Sequence, residues 1–152
     1  MPTGAARDEF RVALQLVPDQ PALLLPGELL PQIVSDPAIS PVPGCAGWFL
    51  GVLARRGTVV PVFDINAHTG RLPLPAAGRY VVMIESAQAP VAVVCAKLPA
   101  VVPVSPASRP TQFPELPIAE RYIVDWKTVD GAVLPVFDLL RWVVESGPGV
   151  LR

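Results

Sequence analysis

A chain of 152 residues with 51% apolar and only 16% charged side chains can bury a real core and is not a disordered one. Its 12 basic and 13 acidic residues leave a formal charge of -1. That excludes a basic footprint for nucleic acid or a polybasic membrane patch, and points any partner towards apolar contacts. Apolar runs such as 48–54 and 91–96 are cut by Gly, Pro or Lys far short of the roughly 20 residues a spanning helix needs. The first residues carry Arg7, Asp8, Glu9 and Arg11 with no apolar stretch for a secretory signal, so a cytoplasmic protein is expected.

In chain order, alternating or continuous apolar runs predict strands at 12–17, 22–25, 49–54 and 59–63. Further strands are expected at 80–85, 91–96, 100–104, 122–128 and 132–137. The breaks between them carry turn chemistry: Pro18-Asp19-Gln20-Pro21, Arg55-Arg56-Gly57, 86–90, and Asp130-Gly131, the cleanest hairpin signal. The 20 prolines, against an average of roughly 5%, are scattered, so they break helices and punctuate many short strands. A short helix is expected over 27–34, with Glu28 in its first turn and Pro31 near its start. A better one follows Asp138 as N-cap, where Leu139, Leu140, Trp142, Val143 and Val144 give a broad apolar face. Gly147-Pro148 should stop it. Cys45 and Cys95, far apart and without metal spacing, read as reduced thiols.

One segment is repeated. Gly57-Thr-Val-Val-Pro-Val-Phe-Asp-Ile65 returns as Gly131-Ala-Val-Leu-Pro-Val-Phe-Asp-Leu139, with six of nine positions identical at an offset of 131 − 57 = 74 residues. About half the chain separates the copies, which suggests two similar units and not a solenoid. Within the strand, Val59 and Phe63 point one way and Val60 and Val62 the other, so both faces are apolar and the strand belongs between two packed layers. Asp64 and Asp138 should end the two strands by capping a short helix. Pro61 and Pro135 lack an N–H, so each strand should be an edge strand or carry a bulge there.

With these residues in view the sequence resembles the CheW family. Gln32-Ile33, Pro43-Gly44, Phe49-Leu50-Gly51-Val52 and Arg56-Gly57-Thr58-Val59-Val60-Pro61-Val62-Phe63-Asp64 follow the family's E-I, P-x-x-[IV]-x-G-[VI]-x-N-x-R-G and [VI]-[VI]-P-[VIL]-[VIL]-[DN] segments. Similarity is strongest over 30–64, continues weakly through 79–102 and returns at 130–140. The resemblance implies a mainly β fold: two SH3/OB-like five-stranded barrels about a shared apolar core, with a few short helices. They would form one domain over 10–148, with intertwined barrels that duplicate strands 57–65 and 131–139, after a flexible tail at 1–9. It further implies a non-catalytic adaptor, without cofactor, that binds the regulatory domain of a CheA-type histidine kinase and the cytoplasmic tip of a chemoreceptor. Carried over by position, the receptor-binding residues are Leu30, Gln32, Gly51, Arg56 and Val81, in a groove between the barrels; Val59 and Val60 are the place for a kinase contact if an edge strand pairs with the partner.

The chain departs from the family in carrying Gln32 where Glu is common and Ala54-Arg55-Arg56-Gly57 where Asn-Leu-Arg-Gly is usual. The family's G-x-x-V-D-x-V stretch appears at 92–98 without its Gly and Asp. Its proline-rich divergence is similar to adaptors of pilus-type chemosensory systems. Arginine is enriched at binding hot spots, which favours Arg56 over a merely solvated turn residue. Leu30, Gly51 and Val81 fit a core as well as an interface, and Trp48, Trp126 and Trp142 fit a core better. Two other readings compete. A stand-alone OB- or SH3-like module for an oligonucleotide or saccharide would need exposed aromatics and a basic groove, which the charge balance opposes. A hydrolase built on Cys45 and His68 would need them convergent with an oxyanion donor, which nothing in their spacing demands.

Overall fold

The computed structural model describes residues 9–35, 37–85 and 89–147, with Leu30 by its backbone alone. The repeated sequence forms the second strand of two matching hairpins. β1 (Glu9–Leu14), β2 (Leu23–Leu24) and β3 (Leu30–Val34) precede the first of them, β4 (Phe49–Arg55) and β5 (Thr58–Phe63), which leads into α1 (Ile65–His68). β6 (Tyr80–Glu85), β7 (Val91–Cys95) and β8 (Ala100–Ala107) lie between. After a 3-10 turn at Glu120–Tyr122 comes the second hairpin, β9 (Ile123–Val129) and β10 (Ala132–Phe137), followed by α2 (Leu139–Ser146).

The likeness of the hairpins runs well beyond the nine residues visible in sequence. Both turns place two consecutive residues at positive φ, Arg56 at 51° and Gly57 at 80°, Asp130 at 48° and Gly131 at 80°, as a twist-matched two-residue connection requires. Each hairpin carries a bulge at the same place, where Leu50 and Val124 interrupt pairing with the end of the second strand. Asp64 Oδ1 accepts from Ala67 N–H at 3.0 Å and Asp138 Oδ1 from Arg141 N–H at 3.2 Å. Asp64 N–H donates to Trp48 C=O at 2.8 Å, and Asp138 N–H to Tyr122 C=O at 2.7 Å. Every one of these pairs keeps the offset of 74, as in 122 − 48, so the duplicated unit extends over 48–68 and 122–142.

The sheets extend the same symmetry. β1, β2, β10, β9 and β8 form a closed barrel; β3, β6, β7, β5 and β4 form a second five-stranded sheet in that order. β10 runs parallel to β2 from Val136, as β5 runs parallel to β7 from Val62. β2, β1 and β8 therefore stand where β7, β6 and β3 stand in the second sheet. The second unit is continuous in sequence, whereas the first is assembled from strands before it and after it. β8 serves two neighbours without a break, pairing β1 over 100–104 and β9 over 105–107. Its counterpart is interrupted: among the described residues β3 pairs only with β6, and an isolated bridge between Ser40 and Val52 links the chain after β3 to the far edge of the second sheet.

Side-chain alternation sorts the apolar residues into three clusters. Val60 and Val62 point into the second barrel with Val34, Leu53, Val81 and Val94. Leu24, Val104, Val129 and Val136 fill the first. Between the barrels lies the shared core, where Phe63, Phe137, Trp142, Leu14 and Ile84 meet. β7 is buried throughout because its two faces serve different clusters, Ala92 and Val94 inward and Val91, Val93 and Cys95 towards the shared core. Lys127, at the position matching Leu53, is also buried, its Nζ 3.2 Å from Glu9 and 3.4 Å from Asp125.

Several expectations are corrected. The helix expected over 27–34 is a turn at Gly27-Glu28 followed by β3. Pro31 disfavours helical backbone at the residue before it, and Ile33 and Val34 pair readily with Val82 and Val81. β1 starts at Glu9, earlier than the expected 12–17, so Glu9 belongs to the fold; 1–8 lie outside the described residues, as do 86–88 of the turn expected over 86–90. Pro61 and Pro135 sit immediately before parallel pairing begins, so each strand is an edge up to its proline and interior after it, and the bulges fall on the partner strands. Val59 thereby protrudes from the edge half of β5 and is 64% exposed. α2 ends at Ser146, and Pro148 of the expected stop lies outside the described residues.

Candidate protein-binding groove

Where the barrels adjoin, β1 and β8 of the first face β3 and β6 of the second across an apolar groove of about 160 Å³. Val12, Ala100 and Val101 form one side, Pro31, Ile33 and Val82 the other, with Pro99 at one end. The alternation of each strand sets this lining. Ile33 pairs with Val82 and faces the groove, while the next pair, Val34 and Val81, faces the barrel interior. Phe10 lies two residues from Val12, on the same face of β1, and leaves half its surface exposed; Ile33, Leu98 and Val101 are also exposed. Among the described residues no ionisable side chain lines the groove.

The carried-over residues separate into two sets. Gln32 is exposed on β3, Arg56 is exposed at the tip of the β4–β5 hairpin, and Val59 is exposed nearby on β5. Gly51, Val60 and Val81 are buried: Val60 and Val81 pack inside the second barrel, and Gly51 lies beneath Ser40. The side chains of Val60 and Val81 face the barrel interior, as strand alternation dictates. Leu30 pairs with Glu85 through β3, and its side chain lies outside the described residues. Among the described residues no hydrogen bond joins Gln32 to Arg56. Pro31 and Ile33 are hidden as groove residues as long as 27–34 reads as a helix; as a strand, the alternation at 31, 33 and 34 separates groove from interior. Val12 and Val101 lie in expected strands, and only the approach of the two barrels makes them groove residues.

Arg56 holds a left-handed backbone, φ 51°, where Asp130 serves in the matching turn. An arginine there is strained, whereas Asn tolerates the region. Arg56→Asn is expected to raise stability by about 0.5–1 kcal/mol, measured as a higher midpoint in urea unfolding. A lower midpoint would mean that the arginine side chain stabilises the fold.

The other reactive side chains have structural partners. His68 lies edge-on between Trp48 and Trp142, with ring centroids at 4.9 and 5.1 Å, and partial burial pushes its pKa down. Asp64, fully buried, spends its second oxygen on Leu74 N–H at 2.7 Å. Burial, with the Asp64 charge nearby, pushes the Cys95 thiol up to about 12, and Cys45 packs half-buried against the shared core. Among the described residues, no three His, Cys, Asp or Glu side chains gather in a metal-binding arrangement, and no helix is long and apolar enough to cross a membrane.

Comparison with known proteins bears on the same architecture. Residues 22–115, more than half of the chain, match the family model of the CheW-like domain. The chain belongs to the CheW-like domain family. The crystal structure of the scaffolding protein TtCheW from Thermoanaerobacter tengcongensis is similar to it with a TM-score of 0.67 and 15% sequence identity. The similarity covers 86% of this chain and 89% of that one. At that identity the likeness shows the fold, a mainly β structure of two five-stranded units. No curated protein matches the sequence. The CheW-like match stops before β9, yet β9 and β10 repeat the β4–β5 hairpin, so the internal duplication carries the family architecture past the matched residues.

Proposed function

We propose that this CheW-like protein is a non-catalytic scaffold of chemosensory signal transduction. It would couple the cytoplasmic tips of chemoreceptors to the regulatory domain of a CheA-type histidine kinase in the cytoplasm, in chemotaxis or pilus-based motility. The observation that carries this reading is the apolar groove between two barrels of a CheW-like fold. Exposed aliphatic side chains on rigid strands suit a helical receptor tip, whose own apolar stripe would cover Ile33, Val101 and Phe10. The edge half of β5, with Val59 exposed and Arg56 at its start, suits a second protein, the kinase domain. A stand-alone ligand barrel is less well supported, because apolar side chains fill both barrel interiors.

Calorimetric titration against the kinase regulatory domain and, separately, a receptor-tip fragment tests the proposal. Saturable one-to-one binding of each is expected. Ile33→Asp should weaken the receptor tip by at least roughly 30-fold, the scale of a hot-spot loss of about 2 kcal/mol, and leave the kinase domain unaffected. Absence of binding by the folded protein, or an Ile33→Asp protein that binds the receptor tip normally, would overturn it.

A further inference from the structure

The β3 wall of the groove has an unusual support. Among the described residues its only ladder is to β6, and no strand pairs with its other edge. The next described residue after Val34 to pair with the sheet is Ser40. There Ser40 N–H donates to Val52 C=O at 2.8 Å, and Val52 N–H donates back to Ser40 C=O at 2.9 Å. These two bonds tie the chain that follows β3 to β4, the opposite edge strand of the second sheet. They lie against Gly51. A Cβ at that position would overlap Ser40 O and stand 2.7 Å from Ser40 C and 2.9 Å from Pro41 Cα. All three atoms are backbone, so no side-chain rotation relieves the clash, and the φ of 134° is itself one that L-residues rarely adopt.

The first barrel supplies an internal control. The position matching Gly51 is Asp125, since 51 + 74 = 125, and there closure is made by a regular ladder of Ser105, Pro106 and Ala107 with Thr128, Lys127 and Trp126. A side chain fits where a continuous strand closes the barrel. Glycine stands where a strap crosses it.

We propose that Gly51 is a positioning residue for the receptor groove: it seats the Ser40 strap, and the strap holds β3, with Pro31 and Ile33, against the first barrel. Gly51 then acts on receptor binding without touching the receptor. This inference rests on the groove being the receptor site; its structural half does not.

Hydrogen exchange on the full chain tests it, with Gly51→Ala and Gly57→Ala compared. Gly57 has φ 80° and nothing within 4 Å of a built Cβ, so its substitution adds backbone strain without displacing the strap. In Gly51→Ala the amides of Ser40 and Val52 should exchange at least about tenfold faster while that of Val93 in β7 stays protected. In Gly57→Ala the Ser40 and Val52 amides should keep their protection. Ser40→Pro, which removes one strap donor and leaves Gly51 in place, should deprotect Val52 in the same way. Receptor-tip affinity should fall in Gly51→Ala and Ser40→Pro with kinase-domain affinity retained, a split that general destabilisation would not produce. Unchanged protection at Ser40 and Val52 in Gly51→Ala, or equal loss in Gly57→Ala, overturns the strap. A deprotected strap with normal receptor affinity overturns the positioning role. Failure of the unsubstituted protein to bind the tip is a separate result, against the groove as receptor site.

Discussion

Phe137→Ala is expected to destabilise the protein by about 3–5 kcal/mol, and Phe63→Ala by a similar amount. The two phenylalanines occupy the same place in the two hairpins, and both are almost fully buried in the shared core. Phe63 meets Trp142 edge-to-face at 5.7 Å and Phe49 at 5.5 Å, so truncation leaves a void walled by large rings that cannot collapse into it. Since the cluster draws on both barrels, either substitution should lower the stability of the whole molecule. Urea unfolding should therefore show one transition, shifted to lower denaturant with its slope preserved. A loss below about 1 kcal/mol at either position, or two separated transitions, would show that the barrels do not share one core.

A second pair of equivalent residues should behave unequally. Asp64→Ala is expected to destabilise by about 2–4 kcal/mol, the sum of a lost cap and a stranded buried donor. Asp138→Ala should cost only about 1 kcal/mol. Both carboxylates cap a helix, but Asp64 is fully buried and its second oxygen accepts from Leu74 N–H, pinning the chain ten residues onward. Asp138 caps Arg141 N–H at a partly exposed site where water can replace it. Chemical denaturation of the two variants side by side measures the difference. Equal losses would mean that the Leu74 contact contributes nothing.

Much of this architecture is legible in the sequence because its signals are local. Asp130-Gly131 between alternating runs fixes a hairpin, and the repeated Pro-Val-Phe-Asp fixes a strand ending in a cap. What escapes is decided by distant partners. Residues 30–34 form a strand because β6 offers an edge; the local bias of Pro31, Ile33 and Val34 against a helix is too weak to decide without that partner. β8 runs on to Ala107 through Pro103 and Pro106 because it changes partner from β1 to β9 between Val104 and Ser105, a switch no propensity encodes. The candidate site shows the same limit. Arg56 and Gln32 are readable as exposed positions, but whether residue 81 or 82 faces the groove depends on the register of β3 against β6, and a shift of one inverts the answer.

The interleaved strand order also has a temporal side. On the ribosome the inner barrel, β3 to β7, is complete before any of β8 has been made, and it can begin to pack while the nascent chain is still growing. β1 and β2 emerge earlier still, yet their own barrel awaits β8, β9 and β10, and even the first residue of β8 lies 100 − 24 = 76 positions beyond Leu24. At synthesis rates of 5–20 residues per second that wait is on the order of 4–15 s. During it, Leu14 and Leu23, buried in the shared core of the finished protein, have only the inner barrel to cover them, while Leu24 faces the interior of a barrel not yet made. The shared core is thus where the early strands first find shelter, and the outer barrel is the last part of the molecule to close.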